Sequence, residues 1–395
     1  MRSKETSEIL VVMAKEQARE KDVDGHHVPD IRTLRNAIPT HCFTPSTSRS
    51  LGYLLRDVAF ACILSCLAIH FIPILPSPIL RGGAWITYGF IQGLVGTGLW
   101  ILAHEAGHGA FSSSAKLNDL VGWVVHSILL VPYFSWKFSH QRHHMFTGHM
   151  EKDMVFVPET RVDHFDRIRT AFVDPDQFED IPIVQFIRLL LHQLLAWPMY
   201  LLFNISAGKG SLQKSSTNRF RQSHFDAYSA IFRYSEAWYI ILSDIGLGLT
   251  IAALYTFLAK HSMSNFMLVY GQPYLWVHHW LIAITYLHHT HEDVPHYTAN
   301  GWTFTKGALA TIDRDFGFVG RVFFHGIIER HVVHHLFPRI PFYHCDEATE
   351  AIKPLLGDLY RRDDRPFIGQ LWNTFRQCKY VEEDPEDAGL MRWSQ

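Results

Sequence analysis

Four long apolar segments divide the chain into two pairs. They cover residues 58–75, 84–103, 237–257 and 266–287 and carry one charged side chain among them, Asp244. As α-helices, all four are long enough to cross the hydrocarbon core of a bilayer, which is about 30 Å thick. The links within the pairs, PSPILRGG and AKHSMSN, are too short for anything but helical hairpins. The pattern predicts an all-α integral membrane protein with four transmembrane helices arranged as two hairpins.

Two further apolar segments, 120–134 and 183–203, do not fit this pattern. The first is short for a membrane span. The second is long enough, but Gln185, Arg188 and His192 are three and four residues apart and therefore lie on one face of a helix. Such a polar face is typical of a helix in the membrane interface, so we expect 183–203 to lie along the membrane rather than cross it.

Basic residues indicate which side of the membrane the polar segments occupy. The two hairpin links hold one each, Arg81 and Lys260, whereas the N-terminal arm, residues 204–235 and the C-terminal region hold many. Lys and Arg accumulate in cytosolic loops, so we expect both termini in the cytosol. We divide the chain into a cytosolic N-terminal arm, a membrane domain and a C-terminal tail, at residues 1–54, 55–380 and 381–395.

Composition narrows the classes of function. The 395 residues carry a formal net charge of −2, and no basic stripe is present that would bind nucleic acid. The polar, charged N-terminus is unlike a signal peptide. The cysteines are odd in number and form no Cys-x-x-Cys pair, which indicates reduced thiols facing cytosol or lipid; they are Cys42, Cys62, Cys66, Cys345 and Cys378.

Histidines are concentrated in three short motifs, HEAGH (104–108), HQRHH (140–144) and HVVHH (331–335). Two copies of His-x-x-His-His exceed what chance gives, even in a chain with 26 histidines. The spacing of three and four residues places the imidazoles of each motif on one helical face. Imidazole suits Fe, Zn, Cu and Ni, and eight are too many for one four-coordinate ion. The pattern indicates two metal ions, with redox-active iron favoured.

The membrane topology agrees with one shared site. Motifs that build one site lie on one side of the membrane, so an even number of spans separates each from the next. This holds only if 120–134 and 183–203 do not cross the membrane. We therefore expect a cytosolic helical cap that holds a histidine-rich dimetal site at the ends of the spans.

Two other classes of function compete with this interpretation. HEAGH also fits His-Glu-x-x-His, the zinc protease motif, in which Glu105 would be the general base. An intramembrane protease also needs an acidic ligand in a later apolar helix, for which Asp244 is the only candidate, and six clustered histidines would have no role. A zinc transporter would bind its metal near the middle of the bilayer, whereas these motifs follow the ends of apolar segments.

The three motifs, in this order around two hairpins, resemble the histidine boxes of membrane fatty acid desaturases. Longer segments are similar to the oleate Δ12 (ω-6) desaturases of the endoplasmic reticulum, in their plant and fungal forms. The resemblance extends over about residues 55–380. It is carried by AHEAGHGAFS (103–112), VPYFSWKFSHQRHHMFTGHMEKDMVFVP (131–158), TYLHHTHEDVPHY (285–297), GALATIDRDFG (307–317) and HHLFPRIPFYHCDEATEAIKPLLGDLY (334–360).

The resemblance implies that nine histidines bind two iron ions. A further family ligand follows the last span, where this chain reads TYLHHTH; His289 is our first candidate and His291 the second. Glu105, our candidate catalytic side chain, would then orient an imidazole rather than act as a protease base. The implied iron ligands are His104, His108, His140, His143, His144, His289, His331, His334 and His335.

The implied activity is the O2-dependent insertion of a second cis double bond at Δ12 of an oleoyl chain, which gives linoleoyl. Electrons would come from NADH through a separate cytochrome b5 on the cytosolic face, because this chain has no haem-binding His-Pro-Gly-Gly motif. The substrate would be an acyl-lipid or acyl-CoA in the endoplasmic reticulum membrane, held at fixed depth in an apolar tunnel. The oligomeric state stays open, a homodimer included.

Four positions beside the boxes depart from the usual family pattern. Ala106 stands where Cys is usual, Gly109 where Gln or His is common, His288 where Gln is common and Arg330 where Thr is usual. In this family, changes beside the metals separate desaturation from other outcomes. A hydroxylase, an acetylenase, an epoxygenase, or a desaturase of linoleoyl or polyketide-like chains therefore stays open. The C-terminal LMRWSQ loosely resembles the family's aromatic retrieval signals.

Overall fold

The computed structural model describes residues 28–170, 181–216 and 218–394. Within these ranges the chain is mostly helical. Its α-helices are α1 (Ile31–Ala37), α2 (Thr47–Phe71), α3 (Pro78–His108), α4 (Ala115–Ile128), α5 (Tyr133–Phe146), α6 (Arg161–Thr170), α7 (Pro182–Phe203), α8 (Ala237–Lys260), α9 (Met263–Phe266), α10 (Gln272–His289), α11 (Phe304–Ala308), α12 (Gly317–Val322), α13 (His331–Leu336), α14 (Cys345–Leu356) and α15 (Phe367–Gln377). Its strands are β1 (His296–Tyr297), β2 (Asp313–Arg314), β3 (Arg362–Asp363), β4 (Val381–Glu383) and β5 (Leu390–Trp393).

Four helices in the described part of the chain are long and apolar enough to cross a membrane. They are α2, α3, α7 and the helix Tyr234–Lys260, which contains α8. Helices α4 and α5 meet at a bend of 110° and would form a fifth crossing only as one broken span. The prediction of a helical membrane protein with four candidate spans and a histidine-rich cluster is thereby confirmed, with two short sheets added to the helices. The arrangement in hairpins and the cytosolic orientation stay predictions.

One of the four predicted spans is not among these helices. Residues 266–287 are helical, but a π-helical turn (Met267–Gly271) separates α9 from α10. Helix α7, which the sequence analysis places in the membrane interface, is long and apolar enough to cross instead, and which of the two helices crosses stays a prediction. In the structure Gln185 and Gln193 are buried while Leu191 and Leu195 are exposed. The polar face of α7 thus packs against protein and its apolar face points outward, as a lipid-facing helix requires.

Helix α3 carries the first histidine motif beyond the apolar layer. Its 31 residues extend over about 46 Å, more than a bilayer core needs. The helix stops at Gly109, whose φ of 77° lies in the left-handed region. This conformation lets the amide of Ala110 donate to the carbonyl of Glu105, a common way to end a helix. The last turn therefore presents His104 and His108 at a fixed height.

The cap has its own apolar core, formed where α1, α13 and α14 meet. Leu34, Ile38, Val333, Leu336 and Ile352 are buried there together. Residues 28–46 of the predicted arm therefore belong to the folded cap, whereas residues 1–27 of the same arm lie outside the described residues.

The last residues of the chain also belong to the cap. Strand β5 pairs with β1 and β4 in an antiparallel sheet of order β1-β5-β4, with His296 opposite Met391. Leu390, Met391 and Trp393 are buried. The predicted tail is therefore not a separate segment through residue 394. A second pair, β2 and β3, is parallel. The sequence pattern predicted neither sheet, because strands of two to four residues show no periodicity.

Candidate metal centre

Four helices converge at one end of the apolar helices and bring the nine predicted histidines together. His104 and His108 come from the last turn of α3, and His289 ends α10. Helices α5 and α13 supply the two His-x-x-His-His motifs. His140 is partly buried and the other eight are buried. The helical periods that the sequence predicted are what turn these side chains toward a common centre.

Five imidazoles form the first of two groups. The ligand atoms of this five-histidine group lie within 4.8 Å of one another; its members are His104, His108, His140, His144 and His334. Within it, the Nε2 atoms of His104 and His108 are 3.2 Å apart, and those of His140 and His144 are 3.1 Å apart. Residues four apart on a helix thus aim the same ring nitrogen at one point.

Four imidazoles form the second group, the four-histidine group of His143, His289, His331 and His335. His143, His289 and His335 have ligand atoms within 4.8 Å of one another. The Nε2 atom of His331 lies 3.4 Å from that of His289 and 3.1 Å from that of His335. The rings of His144 and His335 stack with centroids 4.2 Å apart, so the two groups adjoin.

The donor set fits a pair of iron ions. Burial lowers the pKa of His331, His334 and His335, and neighbouring imidazoles lower it further, so these rings are neutral, the form that binds metals. Neither ring nitrogen of His334 has a hydrogen-bond partner in the described part of the chain. A buried imidazole without partners is costly unless a metal ion satisfies it.

Two side chains that sequence reasoning missed orient the four-histidine group. Nδ1 of His143 donates to Oδ1 of Asp153 at 2.7 Å, and the other oxygen of Asp153 accepts from the amide of Gly148. Nδ1 of His335 donates to Oγ1 of Thr147 at 3.1 Å. Such bonds fix the ring and leave Nε2 for a metal. The acidic residue ten positions after His143 was the available signal for Asp153.

Glu105 lies behind the five-histidine group. Its Oε2 accepts from the amide of Phe342 at 3.1 Å. Its Oε1 is 3.5 Å from Nδ1 of His104 and 4.0 Å from Nδ1 of His334. These contacts are on the side of the rings away from the converging Nε2 atom of His104. The carboxylate is therefore placed to orient imidazoles and not to activate water between them.

The remaining candidate ligands have other partners. His291 is 2.9 Å from the Arg365 guanidinium and 3.2 Å from the Asp363 carboxylate. Both ring nitrogens of His288 face backbone carbonyls, at 2.6 and 3.0 Å. Asp244 belongs to neither histidine group. Of the two candidates for the ninth ligand, His289 is the one that joins the centre.

The other three positions that depart from the family pattern face away from the two groups. Ala106 packs in an apolar core with Phe111 and Val121. Gly109 supplies the left-handed end of α3. The guanidinium of Arg330 forms an ion pair of 2.5 Å with Asp346, whose side chain is largely exposed. Asp346, at the protein surface, therefore neutralises the cation that the sequence places beside the third motif.

An apolar cavity ends at the histidines. Helices α3, α5, α7 and α10 line it, with Trp100, Trp197 and Leu281 among its apolar walls. His104, His140, His143, His289, His331 and His335 reach its surface. An apolar chain in this cavity would lie directly against both groups, and α7 contributes a wall that the sequence analysis did not assign.

Comparison with known proteins finds one matching family. The family model described as "Fatty acid desaturase" matches residues 83–366. An oleate hydroxylase of Claviceps purpurea is 46% identical over 91% of this chain and 78% of its own length. A Delta(12) fatty acid desaturase of Mortierella alpina is 42% identical over 89% of this chain and 88% of its own. An omega-6 fatty acid desaturase of Glycine max, an endoplasmic reticulum isozyme, is 41% identical over 89% of this chain and 87% of its own length.

Proposed function

Because this chain belongs to the fatty acid desaturase family, and is thus an oxidoreductase, we propose that it inserts a cis double bond at Δ12 of an oleoyl chain to give linoleoyl. The observation that carries the proposal is the cavity: its apolar walls end on imidazoles of both histidine groups. Acid–base side chains cannot remove hydrogen from an unactivated methylene pair. The nine histidines would hold two iron ions, which would supply the O2-dependent oxidation that this reaction needs.

The protein's own residues position the acyl chain and the histidine rings and keep water out of the cavity. Trp100 and Trp197 line the cavity and exclude water from the reacting methylenes. Asp153 and Thr147 hold the rings of His143 and His335 through their Nδ1 atoms. The depth at which the acyl chain is held determines which carbon pair lies against the centre, so regioselectivity is a property of the cavity walls.

Hydroxylation of the same chain is the second candidate. The Claviceps purpurea oleate hydroxylase and the Mortierella alpina desaturase resemble this chain to a similar degree. Both outcomes need the same oxidising centre and the same substrate. They differ in whether a second hydrogen is removed or oxygen is transferred to carbon, which small shifts of the chain against the histidines decide. Acetylenase, epoxygenase and linoleoyl desaturase activities belong to the same set.

The cellular setting is proposed with the activity. The Glycine max relative is named for the endoplasmic reticulum, and the four candidate spans suit a multi-pass protein of that membrane. We place the histidine centre on the cytosolic side, where cytochrome b5 delivers electrons from NADH. The substrate is an acyl-lipid or an acyl-CoA.

A protease or a zinc transporter would leave most of the nine converging histidines without a role.

The test is a fatty-acid profile. The full chain is expressed in a host that makes only saturated and monounsaturated acids and supplies its own cytochrome b5, and double bonds are located by mass spectrometry. A new 18:2 acid with unsaturation at carbons 9 and 12 is the expected product. A hydroxy, epoxy or acetylenic acid would show that the protein catalyses one of the alternative reactions instead of Δ12 desaturation. No new product and no bound iron would contradict the oxidase function altogether.

A further inference from the structure

A separate cluster of metal-ligating side chains lies where the N-terminal segment meets the cap. His41 and Cys42 belong to the 3₁₀ turn Thr40–Phe43. His344 ends the turn before α14, and Glu347 lies in the first turn of α14. The four ligand atoms lie within 4.8 Å of one another, although 306 positions separate His41 from Glu347. None of these residues belongs to the nine-histidine centre.

The distances are close to those of a tetrahedral site. Nε2 of His41 is 2.8 Å from Oε2 of Glu347 and 3.7 Å from Sγ of Cys42. The rings of His41 and His344 are nearly perpendicular, with centroids 5.4 Å apart. Around a zinc ion with Zn–N near 2.1 Å and Zn–S near 2.3 Å, ligand atoms are about 3.4–3.8 Å apart. Shifts of about 1 Å, within the reach of side-chain rotation, would complete the geometry.

We propose that His41, Cys42, His344 and Glu347 bind one Zn²⁺ ion as a structural site. One thiolate, two imidazoles and one carboxylate form a donor set of borderline softness, which suits zinc. The thiolate and the carboxylate together balance the two positive charges of the ion. All four positions are supplied by the protein, which is typical of structural and not of catalytic zinc.

Burial gives the site one inner and three outer ligands. Cys42 is buried in the cap core with Leu34 and Ile38. Glu347 and His41 are exposed, so an ion can enter from solvent without opening that core. Burial and the nearby Glu347 carboxylate raise the pKa of the Cys42 thiol to about 11. The thiol therefore carries its proton until an ion binds, and ion binding then releases that proton to solvent.

The ion would join two parts of the cap that already meet. The amide of Ser46 donates to the hydroxyl of Tyr343 at 2.7 Å, one residue before His344. The amide of Phe342, in the same turn, donates to Glu105. Zinc would thus fix the segment that follows the third histidine motif against the turn Thr40–Phe43, which precedes α2. The inference does not rest on the proposed function, because it concerns other residues and another metal.

Metal analysis of the full-length protein in detergent tests the proposal. We expect about one zinc ion per chain in addition to iron. Cys42→Ser and Glu347→Gln should lose the zinc and keep the iron. Cys66→Ser, an exposed thiol on α2, and Glu350→Gln, an exposed carboxylate one turn further along α14, are the matched controls and should keep both metals.

Cobalt supplies a spectroscopic readout. Co²⁺ bound by a thiolate has a sulfur-to-metal charge-transfer band, which should appear in the unchanged protein and in Cys66→Ser but not in Cys42→Ser. Equal zinc in the unchanged protein and in Cys42→Ser, or no such band, would overturn the proposal. If Cys42→Ser also loses iron, the substitution has disturbed the fold of the cap, and the zinc content of His344→Asn is measured instead. This half-buried ring can be replaced without opening the cap core. Retained zinc in that variant would overturn the site. Failure of the Δ12 activity would show in the lipid profile and leave the zinc content unchanged.

Discussion

The two histidine groups present the same imidazole chemistry but are held in different ways. In the four-histidine group, His143 and His335 each donate through Nδ1 to an oxygen at 2.7 and 3.1 Å. In the five-histidine group, Nδ1 of His104 and of His334 have no hydrogen-bond partner among the described residues, and Glu105 stands 3.5 and 4.0 Å away. Hydrogen bonds therefore orient two rings of the four-histidine group, although Nδ1 of His331 has no such partner among the described residues, whereas the Glu105 carboxylate only approaches the two rings of the five-histidine group.

The largest effect is expected from removing one histidine ligand, and it should be the same in both histidine groups. Removing a ligand, by His334→Ala in one group or His335→Ala in the other, should lower product formation by more than about 100-fold, beyond what loss of an orienting partner costs. Bound iron should fall as well. Product is measured by fatty-acid profile and iron by elemental analysis, with the exposed His70→Ala on α2 as control. Activity within tenfold of normal in either variant would remove that histidine from the centre.

The next expected effect separates the groups. Asp153→Asn leaves one oxygen for His143 but turns an amide toward the donating amide of Gly148. We expect about a 10- to 100-fold loss in activity and weaker iron binding. Iron retention during dialysis against a mild chelator measures the second effect. Unchanged retention would mean that the short contact with His143 does not orient a ligand.

The corresponding change in the five-histidine group should be smaller. Glu105→Gln keeps the acceptor for the Phe342 amide and removes a charge that contacts imidazoles only at 3.5 and 4.0 Å. We expect a loss below about tenfold, the lower end for an orienting partner. A loss as deep as that of His334→Ala would instead make Glu105 a direct participant, as the protease interpretation requires.

A neutral hydrogen bond provides a finer comparison. Thr147→Val removes the acceptor for Nδ1 of His335 and preserves side-chain volume. A net contribution of about 1 kcal/mol corresponds to about a fivefold loss in iron affinity or activity. Initial rates in isolated membranes, set beside those of Asp153→Asn, measure it. A larger loss for Thr147→Val than for Asp153→Asn would reverse the ranking of the two contacts.

The smallest effect is expected at Arg330. Its guanidinium pairs with the exposed Asp346 and does not enter either histidine group. A pair with one largely exposed partner contributes little, so Arg330→Gln should change activity by no more than about twofold. The ratio of desaturated to hydroxylated product is the sensitive readout. A changed ratio would show that the cation acts on the outcome from outside the centre.

The tertiary structure corrected those parts of the sequence analysis in which a pattern had two meanings. The polar face of α7 fits water at a membrane interface as well as protein, and only packing showed that Gln185 and Gln193 are turned inward. Residues 390–393 look like a loose tail, yet they pair with His296 in a sheet. Neither contact leaves a local signal, because the partner lies far away in the chain.

The sequence by itself determined the fold class and eight of the nine imidazoles, because hydrophobic length and a spacing of three and four residues are local properties. The likeness to a known family led to His289, which spacing alone would not have selected. Only the tertiary structure decided how the nine divide into five and four, that Asp153 and Thr147 orient one group, and that His41 and Cys42 meet His344 and Glu347. These depend on contacts between distant segments, which packing of the whole chain brings together and no local pattern encodes.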